Sequence, residues 1–93
     1  MPYDIGVKDL DALIRFREHL LHFNATLKDE FSSMRSHWHE TRQIWNDEKS
    51  HAFERELDEL WPGIRRYLEA TNDHEDYLRL LVERLEAVRK TYL

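Results

Sequence analysis

The stretch FERELDELWPGIRRYLEATNDHEDYLRLLVERLEAVRKTY, from Phe53 to Tyr92, decides the fold of this chain. Residues of one stripe recur through it at alternating steps of four and three, and ten of these twelve residues are apolar. The stripe consists of Phe53, Leu57, Leu60, Ile64, Tyr67, Thr71, His74, Leu78, Leu81, Leu85, Val88 and Tyr92. A heptad rhythm of this length is typical of one long helix with a seam for partner helices, because neither a strand nor a loop keeps the phase.

The first half of the chain carries a second stripe with the same steps of three and four. Its members are Leu10, Leu13, Phe16, Leu20, Phe23, Leu27, Phe31, Met34 and Trp38, and Ile14 and Leu21 widen it. Asp9 is placed to cap the helix, and Asp11 suits the positive end of its dipole. The sequence therefore predicts an extended arm over residues 1–8, helix 1 over about 9–43 and helix 2 over about 48–91.

Residues 44–47, between the two helices, are predicted to form a turn. Asn and Asp cap helices and accept turn conformations, and a connection this short makes the two helices antiparallel. Two helices cannot enclose a core as four can, and a chain of 93 residues buries a modest share of its surface alone. We therefore predict an all-α fold with a single domain over residues 1–93, an antiparallel two-helix hairpin that dimerises into a four-helix bundle.

Two features oppose a continuous second helix. Pro62 lacks a backbone donor and Gly63 adds flexibility, which predicts a kink there. The polar run Thr71-Asn72-Asp73-His74 could end one helix and cap another. The stripe passes both points without a shift in register, which favours one helix with a bend near Pro62 over a break near Asn72.

Composition excludes several classes of protein. A formal net charge of −5 does not favour nucleic acid or an anionic membrane as a partner. The absence of cysteine excludes disulfides and thiolate metal sites. We expect a cytoplasmic protein without membrane insertion and without a cleaved signal peptide, since no cationic stretch precedes an apolar run and none approaches the roughly 20 residues of a membrane span.

An apolar helix, then Trp45-Asn46-Asp47, then Phe53 eight positions after the tryptophan and a second amphipathic helix, resembles the WXG (Trp-Xaa-Gly) family of bacterial type VII secretion. The resemblance covers nearly the whole chain and implies an antiparallel hairpin that dimerises with itself or with a paralogous hairpin. It also implies recognition by an FtsK/SpoIIIE-type ATPase, and export in the folded state or service as a carrier for a larger effector. Asp47 replaces the family's glycine. The family's export signal, a tyrosine with an acidic residue four positions on, is missing, because Thr71 follows Tyr67 at that spacing and Leu81 follows Tyr77.

Candidate chemistry is sparse. His19 and His22 could form half of a zinc site, but they lie beside the apolar stripe, where histidines at the rim of an interface are ordinary. His74 lies on the stripe itself, as a polar layer that fixes register or as a pH-sensitive interface group. The carboxylates form solvated helix faces, so we predict no catalytic residues, no metal, no cofactor and no enzyme activity.

The prediction that this chain binds a partner rests on its aromatic and aliphatic side chains. Trp45, Asn46 and Asp47 form the candidate turn motif. The predicted core or interface consists of Leu20, Phe23, Leu27, Phe31, Met34, Trp38, Phe53, Leu57, Leu60, Trp61, Ile64, Leu78, Leu81 and Leu85. A neighbouring stripe of Trp61, Leu68 and Val82 makes the apolar face wider than one hairpin needs, which indicates an interface unless Trp61 covers a kink at Pro62.

These features predict a non-enzymatic helical hairpin that acts as a dimer, as a secreted substrate or as a carrier or adaptor of a type VII-like secretion system. The alternative is a cytoplasmic coiled-coil scaffold or adaptor unrelated to secretion. A third class, a histidine-based metal or ligand carrier, would require bound metal in the purified protein.

Overall fold

The computed structural model describes residues 7–92 of the chain. A short 3-10 turn, Val7–Asp9, leads into helix α1, Leu10–Thr41, and helix α2 spans Glu48–Tyr92. The described residues contain no strand, and the two long helices contact each other. The predicted all-α helical hairpin is thus confirmed, while dimerisation stays a prediction. The predicted extended arm falls mainly on residues 1–6, which lie outside the described residues.

Helix α1 ends two residues earlier than predicted because its last turn tightens. The backbone N–H of Gln43 donates to the carbonyl of Glu40 at 3.1 Å, and that of Ile44 donates to Thr41 at 3.1 Å. These bonds span three residues instead of four, as is common where a helix closes its free carbonyl groups. Residues 42–47 form the connection.

Helix α2 runs without a break through both Pro62 and Asn72. Pro62 cannot donate to the carbonyl four residues earlier, but it is exposed, so water can solvate that carbonyl. Asn72 and Asp73 are exposed as well and occupy the outer side of the helix. At both positions, the unbroken register of the apolar stripe therefore predicted the helix correctly, and the low helix propensity of the local residues did not end it.

The chain divides into two compact units. The first unit contains residues 7–23 and 71–92, where Arg89 pairs with Asp11 at 3.2 Å. The second unit is Asn24–Ala70, where Arg42 pairs with Glu54 at 2.9 Å. In the first unit the start of α1 packs with the end of α2, and in the second unit the end of α1 packs with the start of α2. The two helical segments of each unit therefore run antiparallel. The prediction of a single domain stays a prediction.

The seam of the second unit is built around an indole. Trp61 is buried and meets Phe31 edge-on, with ring centroids 5.3 Å apart. Leu57 is buried one turn earlier. The phenolic hydroxyl of Tyr67 donates to the buried Asn24 side-chain oxygen at 2.8 Å, which supplies a partner for a polar group that would otherwise be costly to bury.

In the first unit, Leu10 and Val82 form the buried apolar contacts and Thr71 is the buried polar group. Leu78 and Leu85 are half-buried beside them. The core of each unit is therefore small, as expected when two helices share one seam.

On α2, the structure buries residues of the neighbouring stripe and leaves several residues of the predicted main stripe exposed. Trp61 and Val82 are buried, whereas Leu60 is 49% exposed and Val88 is 42% exposed. Trp61 and Val82 therefore belong to the seam of the single chain and are not spare surface. The prediction that the apolar faces are wider than one hairpin needs, and so form an interface, stays a prediction. Trp61 contacts Phe31 on the other helix. The alternative role, covering a kink at Pro62, stays a prediction.

The predicted core or interface residues are divided accordingly. Buried are Leu57 and Trp61. Half-buried are Leu20, Leu27, Phe31, Trp38, Ile64, Leu78, Leu81 and Leu85. Exposed are Phe23, Met34, Phe53 and Leu60, at 54%, 46%, 38% and 49%. These four are not core residues of the single chain, and a role for them in an interface stays a prediction.

His74 is exposed and does not form a polar layer in the seam within the chain. His74 shares its row with Leu60 and Tyr67, and that row borders the seam of the single chain. A polar layer of His74 and Thr71 that fixes register against a partner helix stays a prediction. The alternative reading of His74, as a pH-sensitive interface group, stays a prediction.

Replacing Trp61 by alanine tests the division between the two stripes. We expect Trp61→Ala to cost about 3–5 kcal/mol of unfolding free energy, because it empties the seam against Phe31. The neighbouring Leu60→Ala should cost roughly 0.5 kcal/mol in the monomeric chain, because half of that side chain is in water. Urea titration of both variants at low protein concentration measures the difference, and equal costs would contradict the assignment.

Candidate functional site: the hairpin tip

The turn motif Trp45-Asn46-Asp47 lies in the connection between the helices. The backbone N–H of Trp45 donates to the carbonyl of Thr41 at 2.9 Å, a bond with the four-residue spacing of an α-helix. The hydrogen-bond pattern of α1 thus extends to Trp45 before the chain turns. Ile44, directly before it, is 89% exposed. The tip thus presents an isoleucine to solvent beside a tryptophan, an unusual place for a side chain with no polar atom.

Asp47 and Ser50 cap helix α2 reciprocally. The Ser50 backbone N–H donates to Asp47 Oδ1 at 2.8 Å, and the Asp47 backbone N–H donates to Ser50 Oγ at 2.9 Å. The Ser50 hydroxyl in turn donates to the Asp47 carbonyl at 2.8 Å. This is a capping box in which a buried serine takes the place usually held by Glu or Gln.

Asp47 fits where the resemblance implies glycine, because the turn needs no left-handed residue. No residue other than glycine has a positive φ among the described residues. The left-handed strain that a side chain would suffer there is therefore absent. The carboxylate of Asp47 fixes the start of α2 through hydrogen bonds that glycine could not make.

The pKa of the Asp47 carboxyl lies below its ordinary value of 3.8. The largest cause is the hydrogen bond from the Ser50 backbone; the next largest is desolvation, which raises the pKa, and a smaller hydrogen-bonding contribution from the Trp45 side chain lowers it. Both bonds favour the ionised carboxylate.

Three aromatic rings form the body of the tip. Trp38 meets Trp45 and Phe53 edge-on, with ring centroids 5.9 Å and 5.2 Å away. Trp45 and Phe53 lie 6.4 Å apart at 35°. Such edge-to-face pairs stabilise beyond the area they bury, by about 0.5–1.5 kcal/mol each. Trp45 is nevertheless 37% exposed, so it packs into the joint and leaves part of its indole in solvent.

A cavity of about 240 Å³ opens beside these rings. Arg42 and Glu54, which line it, pair with each other at 2.9 Å, and His51 Nε2 lies 2.6 Å from the Asn46 side-chain oxygen. The Nε1 atom of Trp38 is buried and has no hydrogen-bond partner among the described residues. Arg42 and Glu54 thus neutralise each other at the wall of this cavity.

Within residues 7–92, no group of three or more His, Asp or Glu side chains is placed to hold a metal ion. His19 and His22 are both exposed on α1. Across the same part of the chain, neither helix has a segment long and apolar enough to cross a membrane.

Sequence reasoning located the turn but missed three of its parts. Ser50 follows Asp47 at the spacing of a capping box, a signal that the sequence does contain. Ile44 lay within the predicted turn and was not recognised as an exposed contact residue. The packing of Trp38 on Phe53 joins opposite sides of the connection, so periodicity alone could not reveal it.

Truncating Trp45 tests its role in the joint. We expect Trp45→Ala to lower the unfolding free energy by about 1–3 kcal/mol, less than for a fully buried tryptophan, because two ring contacts are lost from a partly exposed side chain. Ile44→Ala should change stability little, since almost all of that side chain is in water. Thermal melts of the two variants compare them, and an unchanged melt for Trp45→Ala would leave it with a binding role alone.

The cap at Asp47 should show a defined pH dependence. Because its pKa is lowered on folding, its contribution is complete above pH 3.8 and is lost as the pH falls through the lower folded value. The melting temperature of the wild type should therefore exceed that of Asp47→Ala at neutral pH, and this margin should shrink in acid.

Asp47→Asn is the matched control for that experiment. Its amide oxygen can still accept from Ser50 but does not titrate, so its margin over Asp47→Ala should not vary with pH in the same way. A wild-type margin that stays constant to pH 2 would contradict the proposed ionised cap.

Comparison with known protein families, with curated proteins and with solved structures gave no match to this chain.

Proposed function

We propose that this chain is a WXG-like, non-enzymatic helical hairpin that serves a type VII-like secretion system as a carrier, adaptor or secreted substrate and acts as a dimer. The tip is the observation that carries the proposal. Asp47 and Ser50 cap α2 reciprocally, and Trp45, two residues before Asp47, packs against Trp38 and Phe53. The replacement of glycine by Asp47 is compatible with this geometry.

Within this proposal, the role of carrier or adaptor is favoured over that of an independent substrate. Neither Tyr67 nor Tyr77 is followed by an acidic residue four positions on. The exposed tip residues Ile44 and Trp45 offer the apolar surface through which a secretion component could recognise the hairpin.

The alternative function is that of a cytoplasmic coiled-coil scaffold with no link to export. The exposed apolar side chains of both helices would serve a scaffold equally well. The two functions differ in their partners and in whether the tip is needed to bind them.

Affinity capture from the native cell separates the two functions. We expect the tagged full-length chain to co-purify with an FtsK/SpoIIIE-type membrane ATPase or with a larger effector. Ile44→Asp should lose this partner, because it places a charge on the exposed tip without touching the seam. Mass spectrometry of the eluate identifies the partners.

Arg65→Asp serves as the control, since Arg65 is exposed on α2 within the same unit but away from the tip. It should keep the wild-type partners. Capture of cytoplasmic proteins alone, by the wild type and by Ile44→Asp alike, would contradict the secretion role and favour the scaffold.

A further inference from the structure

The outer side of α2 carries an apolar group within the first unit. Tyr77, Leu80 and Val88 are 58%, 44% and 42% exposed, and the half-buried Leu81 links them to the border of the seam. These four residues, the outer patch, lie one to three turns apart along the helix. At 3.6 residues per turn, Leu80 lies about 160° around α2 from the buried Val82. Tyr77 and Leu80 therefore face away from α1.

The outer side of α2 is polar or small before this patch begins. Positions seven residues apart share one side of a heptad helix, so Leu80 and Tyr77 can be compared with their earlier equivalents. The equivalents of Leu80 are the exposed residues Glu59, Arg66 and Asp73. The equivalents of Tyr77 are Glu56, Gly63 and Ala70. Large apolar side chains thus appear on this side of the helix after Asp73, where the seam has no use for them.

Acidic side chains border the outer patch. Asp73 and Asp76 stand one turn before Tyr77 and Leu80, respectively, on the same side of the helix. Both aspartates are exposed, and neither forms an ion pair with another residue of the described part of the chain. Between residues 73 and 88, five side chains are acidic and two are basic. The outer patch is therefore an apolar surface in an acidic setting.

We infer that the outer patch is a docking surface for an amphipathic helix of another protein, one whose apolar stripe is flanked by lysine or arginine. The inference rests on residues of the first unit alone, so it depends neither on the tip nor on the dimer of the proposed function. It gives the chain a second binding surface, which a carrier or adaptor requires.

A helix fits the shape of this surface. Leu80, Arg84 and Val88 follow one another at steps of four, which makes a ridge, and such ridges pack into the grooves of a second helix. The stem of Arg84 is apolar and can lie along the contact while its guanidinium stays at the edge. From Tyr77 to Val88 the patch extends about 17 Å, which corresponds to about three turns of a partner helix.

The charge around the patch selects a basic partner. Lysine or arginine beside the partner's apolar stripe would meet Asp73 and Asp76, and complementary charges favour both encounter and specificity. A second copy of the chain, with its net charge of −5, would instead bring further carboxylates to these aspartates. An anionic membrane surface is disfavoured for the same reason.

Two synthetic helical peptides test this partner chemistry. Both carry leucine at the i, i+3, i+4 and i+7 positions of one face, and the leucines are flanked by lysine in one peptide and by glutamate in the other. We expect fluorescence anisotropy to show that the full-length chain binds the lysine peptide with a Kd of ~10–100 µM. The glutamate peptide should bind at least about tenfold more weakly.

Leu80→Glu separates docking on the patch from general charge attraction. It should weaken binding of the lysine peptide by about tenfold or more, because a carboxylate would lose its water in the contact. Attraction by charge alone would instead make this variant bind more tightly. Ala70→Glu is the matched control, since it adds the same charge at an exposed position of α2 in the second unit. It should change the affinity by less than about threefold.

Cysteine labelling provides a measurement that does not depend on weakening the contact. The chain has no cysteine, so Leu80→Cys and Glu59→Cys each introduce a single thiol, at equivalent positions of the two units. The lysine peptide should slow maleimide labelling at position 80 and leave labelling at position 59 unchanged. Circular dichroism of each variant checks that its helices are intact.

Absence of binding at ~100 µM lysine peptide would overturn the inference, as would equal binding of the two peptides or unchanged affinity of Leu80→Glu. Labelling at position 80 that slows as the concentration of the chain alone rises would assign the patch to a second copy and overturn it as well. Slowing by phosphatidylcholine–phosphatidylglycerol vesicles would overturn it in favour of a membrane surface. The proposed function fails separately, in the capture experiment with the tip variant.

Discussion

Two helices that pack together can bury one narrow seam between them, and this constraint governs the whole chain. Each helix carries more apolar residues than that seam accommodates, so the structure must leave some in water. It places Trp61 and Leu57 inside, where the large indole gains most from burial, and leaves Leu60 and Phe53 at the border. One polar group that enters the seam, Asn24, is matched by a partner, because Tyr67 donates a hydrogen bond to it.

The tip meets a different requirement, to reverse the chain without a glycine. The capping box of Asp47 and Ser50 starts α2, and the ring contacts of Trp38 with Trp45 and Phe53 hold the two helix ends together. Hydrogen bonding and aromatic packing therefore share the task that backbone flexibility performs in a glycine turn. The same construction leaves Ile44 and part of Trp45 accessible, so rigidity and recognition are compatible at one place.

Periodicity was sufficient to predict the helices, their connection and the antiparallel hairpin. It could not decide which row of α2 faces α1. The rows that contain Leu60 and Trp61 both flank the positions shared by Leu57 and Ile64, and both satisfy steps of three and four. The choice depends on how α1 packs, which is a tertiary property. At the tip, the residue types predicted a turn with an aspartate cap, but the contact of Trp38 with Phe53 depends on the folded hairpin.

The three tryptophans of the chain all belong to the unit Asn24–Ala70, and the other unit has none. Indole fluorescence therefore reports on one unit, whereas the far-ultraviolet signal of the helices reports on both. If the two units unfold cooperatively, these signals change together, and if they unfold independently, the signals separate. The distribution of tryptophan thus gives the native protein an internal optical probe of whether its long helices behave as one cooperative element or as two.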